Sequence, residues 1–296
     1  KTQPILPRNP GTDFQLERFC DIQINRSAVE QRCASYGTRR SIKKDKQAAW
    51  LIKVISLIDL TTLAGDDTND RVRRLCRKAI HPVNEQLLKK LELESLNIST
   101  AAVCVYHEMI SGAAQVLKGT GVHLAAVSTG FPAGLSPLPL RIEEIKYSVD
   151  QGADEMDIVI SRRLVLEGKG EELYHEVRMF REACGEAHLK TILATGELGN
   201  LSTIAKASQV CMMAGADFIK TSTGKEPTNA TLPVSLVMVR MIREYYESTG
   251  YMVGFKPAGG ISDTKTALQF MTMMQEELGR RWLEPVVFMF GASSLL

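Results

Sequence analysis

The sequence lacks the features that mark several large classes of protein. No apolar run reaches the roughly 18 residues that a membrane-spanning helix needs, and the first residues show no signal-peptide pattern. Positive and negative side chains nearly balance, at a net charge of +2, so no strong field favours nucleic acid or an anionic membrane. The six cysteines form no C-x-x-C pair, which predicts reduced thiols. We therefore expect a cytoplasmic protein that binds neither nucleic acid nor membrane.

The first 48 residues differ in pattern from the rest of the chain. Residues 1–20 are polar and carry prolines without a clear period, which indicates a loose arm. A short helix is predicted from Ser27 to Tyr36. The basic run Thr38–Lys46 favours a solvated linker over a binding patch. We predict an N-terminal arm and short helix over residues 1–48, and a catalytic domain over residues 49–296.

Within that domain, apolar segments of strand length alternate with helical segments. The eight predicted strands are 54–60, 101–106, 123–128, 155–160, 188–193, the segments ending at Lys220 and Lys256, and 286–290. This alternation predicts an α/β fold whose parallel strands close into a barrel. An open doubly wound sheet is the alternative, although no dinucleotide fingerprint follows the first strand. Because the chain stops just after the eighth strand, we expect the last barrel helix to be missing.

Period-two alternation along the strands places a set of polar side chains inside this barrel. Taken singly, each has an ordinary structural explanation, such as a turn acceptor, a structural ion pair or, for a cysteine, a small buried hydrophobe. Together they would bury several charges at one end of an apolar core, which is costly unless function retains them. The inward residues are Asp59, Thr61, Cys104, Asp157, Lys190, Lys220 and Lys256.

Two strand-end lysines indicate amine chemistry. Lys220 and Lys256 end neighbouring predicted strands, which lie about 5 Å apart. Repulsion between two ammonium groups at that distance amounts to about 3 kcal/mol at an effective dielectric near 20. Such repulsion favours the neutral form of one amine, as nucleophilic catalysis through a Schiff base requires.

Three predicted loops carry groups that suit a phosphate. Thr223, Gly224 and Lys225 follow the sixth strand, and glycine or serine pairs follow the seventh and eighth strands, at Gly259, Gly260, Ser293 and Ser294. Glycine backbone N–H groups, hydroxyls and an ammonium are donors that phosphate oxygens accept. Loops after strands seven and eight often hold phosphate in barrels of this kind.

The ordered motifs resemble those of the deoxyribose-phosphate aldolase family, in its animal-type branch, from about residue 50 to the end. They are Asp59-Leu-Thr-Thr62, Val103-Cys-Val-Tyr106, Glu155-Met-Asp157, Thr195-Gly-Glu197, Phe218-Ile-Lys-Thr-Ser-Thr-Gly-Lys225 and Lys256-Pro-Ala-Gly-Gly260. The resemblance implies a TIM (β/α)8 barrel and a class I aldolase without metal or other cofactor. It implies cleavage of 2-deoxy-D-ribose 5-phosphate to D-glyceraldehyde 3-phosphate and acetaldehyde in deoxyribonucleoside catabolism.

Roles for individual residues follow from the same resemblance. Lys220 would form the Schiff base. Lys256 would lower the pKa of Lys220 and share proton transfer, and Asp157 would relay protons through water. The expected substrate-binding residues are Asp59, Thr61, Cys104, Lys190, Thr223, Gly224, Lys225, Gly259, Gly260, Ser293 and Ser294. The expected partner is a small phosphosugar, and a homo-oligomer is possible.

Two other functions compete with this one. A phosphosugar isomerase on the same barrel would use a carboxylate base and no covalent lysine, so borohydride with substrate would not inactivate it. A phosphate-binding or nucleic-acid-binding protein would use the basic run Thr38–Lys46. The near-neutral charge and the lack of aromatic residues among those basic residues count against it.

Overall fold

Eight parallel strands form the centre of the computed structural model, which describes residues 6–38 and 43–296. The strands are β1 Ile58–Thr61, β2 Ala102–Tyr106, β3 His123–Ser128, β4 Glu155–Val159, β5 His188–Ile192, β6 Phe218–Lys220, β7 Gly254–Lys256 and β8 Phe290–Ala292. They are ordered β7-β6-β5-β4-β3-β2-β1-β8. The predicted parallel barrel is confirmed.

Two isolated β-bridges close the barrel between the regions of β7 and β8, the two strands at the ends of this order. Phe255 pairs with Phe288, and Ala258 pairs with Gly291. The Phe255 N–H donates to Val287 O at 2.9 Å, and the Gly291 N–H donates to Pro257 O at 3.0 Å. The chain before β8 therefore pairs with β7, and β8 itself pairs with β1. The eighth strand was predicted over 286–290, four residues too early at its start, because the whole segment is apolar.

Helices surround the barrel. They are α1 Leu16–Asp21, α2 Arg26–Thr38, α3 Asp45–Ser56, α4 Asn69–Ile80, α5 Glu85–Lys90, α6 Ile110–Leu117, α7 Leu138–Asp150, α8 Arg162–Leu166, α9 Gly170–Ala183, α10 Leu201–Met213, α11 Leu232–Thr249 and α12 Thr264–Leu278. Single 3-10 turns lie at Glu94–Leu96, His107–Met109, Thr195–Glu197 and Arg280–Trp282. None of the helices in the described ranges is long and apolar enough to cross a membrane.

Helix α3 corrects the prediction for the first strand. The β-branched residues from Val54 were assigned to a strand, but the helix continues to Ser56 and β1 begins at Ile58. Trp50, Val54 and Leu57 recur at helical spacing, and Val54 and Leu57 are buried. Packing on the core therefore outweighs the strand preference of this segment. The helix also crosses the predicted boundary between residues 48 and 49.

The N-terminal arm is anchored to the barrel rather than loose. The buried Asn9 side chain donates to Met212 O and Ala216 O at 2.9 Å each, and its Oδ1 atom accepts from the Tyr245 hydroxyl at 2.9 Å. Phe19 of α1 is buried against Gly170. Three hydrogen bonds of Asn9 and the packing of Phe19 thus fix the arm, a combination that has no sequence period to reveal it. In the basic run, residues 39–42 lie outside the described residues.

Two small apolar clusters lie apart from the main core. Ala102, Phe218 and Met289 form a cluster at the end where the strands begin. Cys104, Ala125 and Val127 form a second cluster, against which Tyr106 and Phe131 pack. The charged side chains described below touch both clusters, since the Lys190 amine lies 3.3 Å from Met289 Sδ and Cys104 Sγ lies within 4.8 Å of carboxylate oxygens of Asp59 and Asp157.

Candidate active site

Six ionisable side chains form one layer inside the barrel. All are buried, with a relative exposure of 2% or less. Strand alternation explains their grouping, because residues two apart on one strand share a face. They are Asp59 on β1, Glu155 and Asp157 on β4, Lys190 on β5, Lys220 on β6 and Lys256 on β7. The structure therefore brings together all five charged residues that alternation placed inside.

The ammonium of Lys256 lies between two carboxylates. Its Nζ atom is 2.6 Å from Asp157 Oδ2 and forms a second, short hydrogen bond with Asp59 Oδ2. Burial opposes a charge here, but Asp157 and Asp59 outweigh it and hold the pKa of the Lys256 amine well above its usual range. Lys256 is therefore a protonated, firmly held cation.

Lys190 lies deeper and has a carboxylate of its own. It forms a short ion pair with Glu155, and its Nζ atom lies 3.8 Å from Asp59 Oδ2. Burial again opposes the charge, yet Glu155 and the other carboxylates raise the pKa of the Lys190 amine. The same amine lies 5.2 Å from the centroid of the Phe218 ring. Lys190 is thus enclosed at the base of the charged layer.

Lys220 differs from the other two lysines in both contacts and access. Its Nζ atom is 2.6 Å from Asp157 Oδ2, the oxygen that Lys256 also contacts. No second carboxylate lies within ion-pair distance of Lys220 in the described part of the chain. Its side chain is 3% exposed, whereas those of Lys190 and Lys256 are fully enclosed. Lys220 is therefore the one of these three lysines whose side chain keeps any contact with solvent.

Asp157 connects the two upper lysines. Burial disfavours its charge, but Lys220, Lys256 and Lys190 together hold the pKa of its carboxyl well below the usual range. Its Oδ1 atom is buried and has no hydrogen-bond partner among the described residues, and the same is true of Oδ1 of Asp59. Such unsatisfied acceptors are expensive in a core and are found at sites that bind or react.

The two uncharged inward residues lie beside this layer. Burial raises the pKa of the Cys104 thiol to about 12, so the thiol is neutral at physiological pH. Its Sγ atom and carboxylate oxygens of Asp59 and Asp157 all lie within 4.8 Å of one another. A cation could bind to such a set, and the ammonium of Lys256 lies against both carboxylates. The Thr61 hydroxyl is half-buried and donates to Asp59 O at 3.1 Å.

Glu155 is the inward residue that the sequence argument missed. Alternation gives it the same face as Asp157, so the signal was present in the motif Glu155-Met-Asp157. Burial opposes its charge, but Lys190 holds the pKa of its carboxyl well below the usual range. The layer therefore holds three lysines and three acids, rather than the three and two expected. Asp59 and Lys190 have ionic partners inside the core, and their contact with a substrate stays a prediction.

The predicted phosphate loops lie side by side at the carboxyl end of the strands. Gly224 and Lys225 follow β6, and the Lys225 ammonium donates to Leu63 O at 3.1 Å. The Gly259 N–H donates to Gly291 O at 3.5 Å, which joins the loop after β7 to β8. Gly224, Gly259 and Gly260 adopt positive φ angles of 80°, 81° and 79°, where other residues are strained. Ser293 and Ser294 are exposed just beyond β8.

Comparison with known proteins agrees with this geometry. Residues 53–296 match the family described as DeoC/LacD family aldolase. The deoxyribose-phosphate aldolase of Homo sapiens is 53% identical over 97% of this chain and 91% of its own length, and that of Mus musculus is 54% identical over the same shares. The chain belongs to the DeoC/LacD aldolase family. It is therefore an enzyme of the aldolase type, a lyase.

Solved structures share the fold of this DeoC/LacD aldolase. A putative deoxyribose-phosphate aldolase from Coccidioides immitis has a TM-score of 0.67 at 22% identity, covering 92% of this chain and 95% of its own. A deoxyribose phosphate aldolase from Aeropyrum pernix, described as having a unique tetrameric structure, has a TM-score of 0.59 at 23% identity over 83% and 88% of the two chains. These likenesses confirm the predicted TIM-barrel fold.

Proposed function

We propose that this aldolase cleaves 2-deoxy-D-ribose 5-phosphate reversibly to D-glyceraldehyde 3-phosphate and acetaldehyde, through a Schiff base on Lys220. The observation that carries the proposal is the pair of hydrogen bonds to Asp157 Oδ2, from Lys220 and Lys256 at 2.6 Å each. One carboxylate thereby holds a reachable amine beside an enclosed ammonium. This arrangement supplies a nucleophile, a proton acceptor and a proton donor within one hydrogen-bonded unit.

Lys220 is the best of the three lysines for the nucleophile. The amine must be neutral to attack a carbonyl, and Lys190 and Lys256 have raised pKa values in the presence of their carboxylates. Lys220 shares a single oxygen of Asp157 and alone is partly exposed. A substrate aldehyde in the barrel mouth therefore meets Lys220 first.

The chemistry then proceeds by imine formation and aldol cleavage. The Lys220 amine adds to C1 of the open-chain sugar, and water leaves to give an iminium ion. The iminium withdraws electrons as the C2–C3 bond breaks and the C3 hydroxyl loses its proton, so glyceraldehyde 3-phosphate departs. The remaining enamine takes a proton at its terminal carbon, and water hydrolyses the resulting imine to acetaldehyde and free Lys220.

Asp157 and Lys256 fit the two proton transfers. The carboxylate of Asp157 accepts the proton of the C3 hydroxyl through water, and the Lys256 ammonium donates one to the enamine carbon. Their direct hydrogen bond lets the first proton replace the second, so no net proton is consumed. Asp59 stabilises the Lys256 cation from below, and Glu155 does the same for Lys190.

The phosphate would bind to the loops after β6, β7 and β8. Gly224 and Gly260 offer backbone N–H groups at positions without a side chain, Gly259 belongs to the same loop as Gly260, and Lys225 supplies positive charge near them. Ser293 and Ser294 offer hydroxyls from the last segment. Cys104 and Thr61 line the opposite wall, and a substrate of this kind places the enzyme in deoxyribonucleoside catabolism. A homo-oligomer is part of the proposal, and light scattering would test it.

Borohydride trapping tests the proposed mechanism. Incubation with acetaldehyde and sodium borohydride should inactivate the enzyme irreversibly and add 28 Da, an ethyl group, to one lysine as expected for imine reduction. Peptide mapping should place the label on Lys220. A label on Lys190 or Lys256 would overturn the assignment, and full activity after treatment would favour the isomerase, which needs no covalent lysine.

A further inference from the structure

A second group of charged side chains lies on the loops after β4, β5 and β6, outside the barrel interior. Arg162 donates from Nε to Glu197 Oε2 at 2.5 Å and from Nη2 to Pro132 O at 3.0 Å. Glu226 lies in the next loop and is buried, at 7% exposure. Glu197 and Arg162 both act electrostatically on the Glu226 carboxyl. None of these three residues takes part in the proposed proton transfers.

The Glu226 carboxyl holds the turn that follows β6. Its Oε1 atom accepts the Thr223 N–H at 3.2 Å. The Thr223 hydroxyl in turn accepts the Lys225 N–H at 3.0 Å. The Gly224 N–H, between these two, has no partner among the described residues. The turn therefore consumes two of its N–H groups internally and leaves that of Gly224 available.

Two buried polar atoms of this group are unsatisfied. They are Oε2 of Glu226 and Nη1 of Arg162, and neither has a hydrogen-bond partner in residues 6–38 and 43–296. Leaving charged groups incompletely paired costs free energy, whereas an apolar residue of similar size would cost little at position 226. A carboxyl at this position is thus expensive for packing and useful for holding the Thr223 N–H.

The loop after β5 packs closely against the segment that carries Glu226. A Cβ atom on Gly196 would collide with Thr228 O and would lie 3.5 Å from Cβ of Glu226. Because only glycine permits this close approach, the Arg162–Glu197 ion pair is held against the segment that carries Glu226. The loops after β3, β4, β5 and β6 thereby form one connected support.

We propose that Glu226 is a positioning residue for the substrate phosphate, which it serves by fixing the Thr223–Lys225 turn so that the Gly224 N–H faces the bound anion. The Arg162–Glu197 pair supports Glu226 in this role. The inference rests on the proposed function, since it assigns the phosphate to this turn. It assigns Glu226 no contact with the reacting atoms.

Two variants of matched size separate the hydrogen bond from packing. Glu226→Gln keeps a carbonyl oxygen for the Thr223 N–H, whereas Glu226→Met keeps the volume and loses the acceptor. Glu226→Met should raise KM for deoxyribose 5-phosphate roughly 5- to 10-fold, as expected for one lost hydrogen bond. Its kcat should stay within about twofold, and KM for unphosphorylated deoxyribose should not change. Glu226→Gln should match the wild type.

Control variants complete the design. Glu186→Ala, exposed at the other end of the barrel, should change neither KM. Arg162→Met should give a smaller rise confined to the phosphorylated substrate, and it decides the outcome if Glu226→Met does not fold in a thermal unfolding assay. Equal KM rises for both substrates, or none for the phosphorylated one, would overturn the proposal.

Acetaldehyde trapping distinguishes this inference from the proposed function. The trapping reaction involves no phosphate, so the wild type and Glu226→Met should label Lys220 to the same extent. A wild type that fails to label contradicts the Schiff-base mechanism. Normal labelling with unchanged phosphosugar KM contradicts only the role of Glu226.

Discussion

Two groups of buried charges in this molecule differ in how completely their polar atoms are bonded. Arg141 of α7 donates to Thr129 O, Ser161 Oγ, Glu176 Oε1 and Val159 O at distances of 3.0, 2.9, 2.5 and 2.7 Å. Both oxygens of Glu176 accept from Ser161. Inside the barrel, in contrast, Oδ1 of Asp59 and Oδ1 of Asp157 accept no hydrogen bond from the part of the chain that the structure describes.

The fully bonded Arg141–Glu176 pair has a structural role, whereas the incompletely bonded barrel cluster is the candidate active site. The Arg141–Glu176 pair connects the loop after β3 with the end of β4. Thr129, the first residue after β3, adopts an unfavourable φ of 66°. Every guanidinium nitrogen of Arg141 and both carboxylate oxygens of Glu176 already have hydrogen-bond partners, so the pair leaves no polar atom for a ligand. The barrel cluster retains unsatisfied acceptors and one amine, that of Lys220, whose side chain is 3% exposed. Burial of charge alone would not have distinguished the two groups.

The largest effect should follow from removing the reachable amine. Lys220→Met should lower turnover by at least about 10⁴-fold, since the covalent route is lost, while the thermal unfolding temperature stays close to that of the wild type. Loss of the acetaldehyde–borohydride label should accompany it. Lys118→Met, an exposed lysine on the surface, is the control. Substantial residual turnover would place the nucleophile elsewhere in the cluster.

Removing the enclosed ammonium should have the next largest effect. Lys256→Met deletes the proposed proton donor, and turnover should fall by about 10²- to 10³-fold. Because a cation near Lys220 is also lost, the pH midpoint of borohydride trapping should move upward by about 1–2 units. An unchanged midpoint would show that the charge of Lys256 does not affect the protonation of the Lys220 amine.

A double variant sharpens that measurement. The repulsion expected between Lys220 and Lys256 applies to two bare ammonium groups. In the structure, Asp59 and Asp157 offset much of the Lys256 charge. Asp59→Asn with Lys256→Met removes one negative charge as well, so the trapping midpoint should return part of the way toward the wild type. A further upward movement would contradict this electrostatic account.

Breaking the scaffold pair should alter stability and leave the chemistry intact. Arg141→Met strands the buried Glu176 carboxylate, and the free energy of unfolding should fall by about 3–5 kcal/mol. Replacing both residues, as Arg141→Met with Glu176→Met, should recover much of the loss. Denaturant unfolding measures the change, and kcat of the folded fraction should remain within a few-fold. A large loss of kcat at unchanged stability would erase the distinction between the two charge groups.

The smallest effect should come from the rim of the site. Ser294→Glu adds a negative charge beside the proposed phosphate position, so KM for deoxyribose 5-phosphate should rise about 10-fold. KM for unphosphorylated deoxyribose should change much less. Ser95→Glu, at the opposite end of the barrel, controls for added charge. If both substrates suffer equally from Ser294→Glu, the serine pair lies outside the phosphate site.

Several elements of the fold were predictable because their signals are local. Thr68 caps α4 with its side chain, which accepts the Arg71 N–H, so a threonine just before Asn69 is a local signal for the start of that helix. The strand His123–Ser128 was predicted with its observed bounds. The helical segment between β4 and β5 is divided into two helices, α8 and α9, separated at Gly168, whose φ is 73°. A glycine that interrupts a helix gives only a weak local signal, since many helices contain one.

For the site, the sequence by itself determined which residues face the barrel interior. Alternation has a period of two whatever the tertiary structure, so Asp59, Asp157, Lys190, Lys220 and Lys256 shared one face from the start. The same rule applied to Glu155, although the argument overlooked it. The ordered motifs also determined the family, which the comparisons confirmed.

Only the tertiary structure decided how those charges pair. β1 and β7 lie far apart along the chain, yet barrel closure brings Asp59 against Lys256, and β4 supplies Asp157 to two lysines at once. Pairing of this kind depends on distances of a few ångströms across the barrel, which no local pattern encodes. The difference between the enclosed Lys190 and the reachable Lys220 likewise follows from depth in the closed barrel, since the two lysines look alike in their strands.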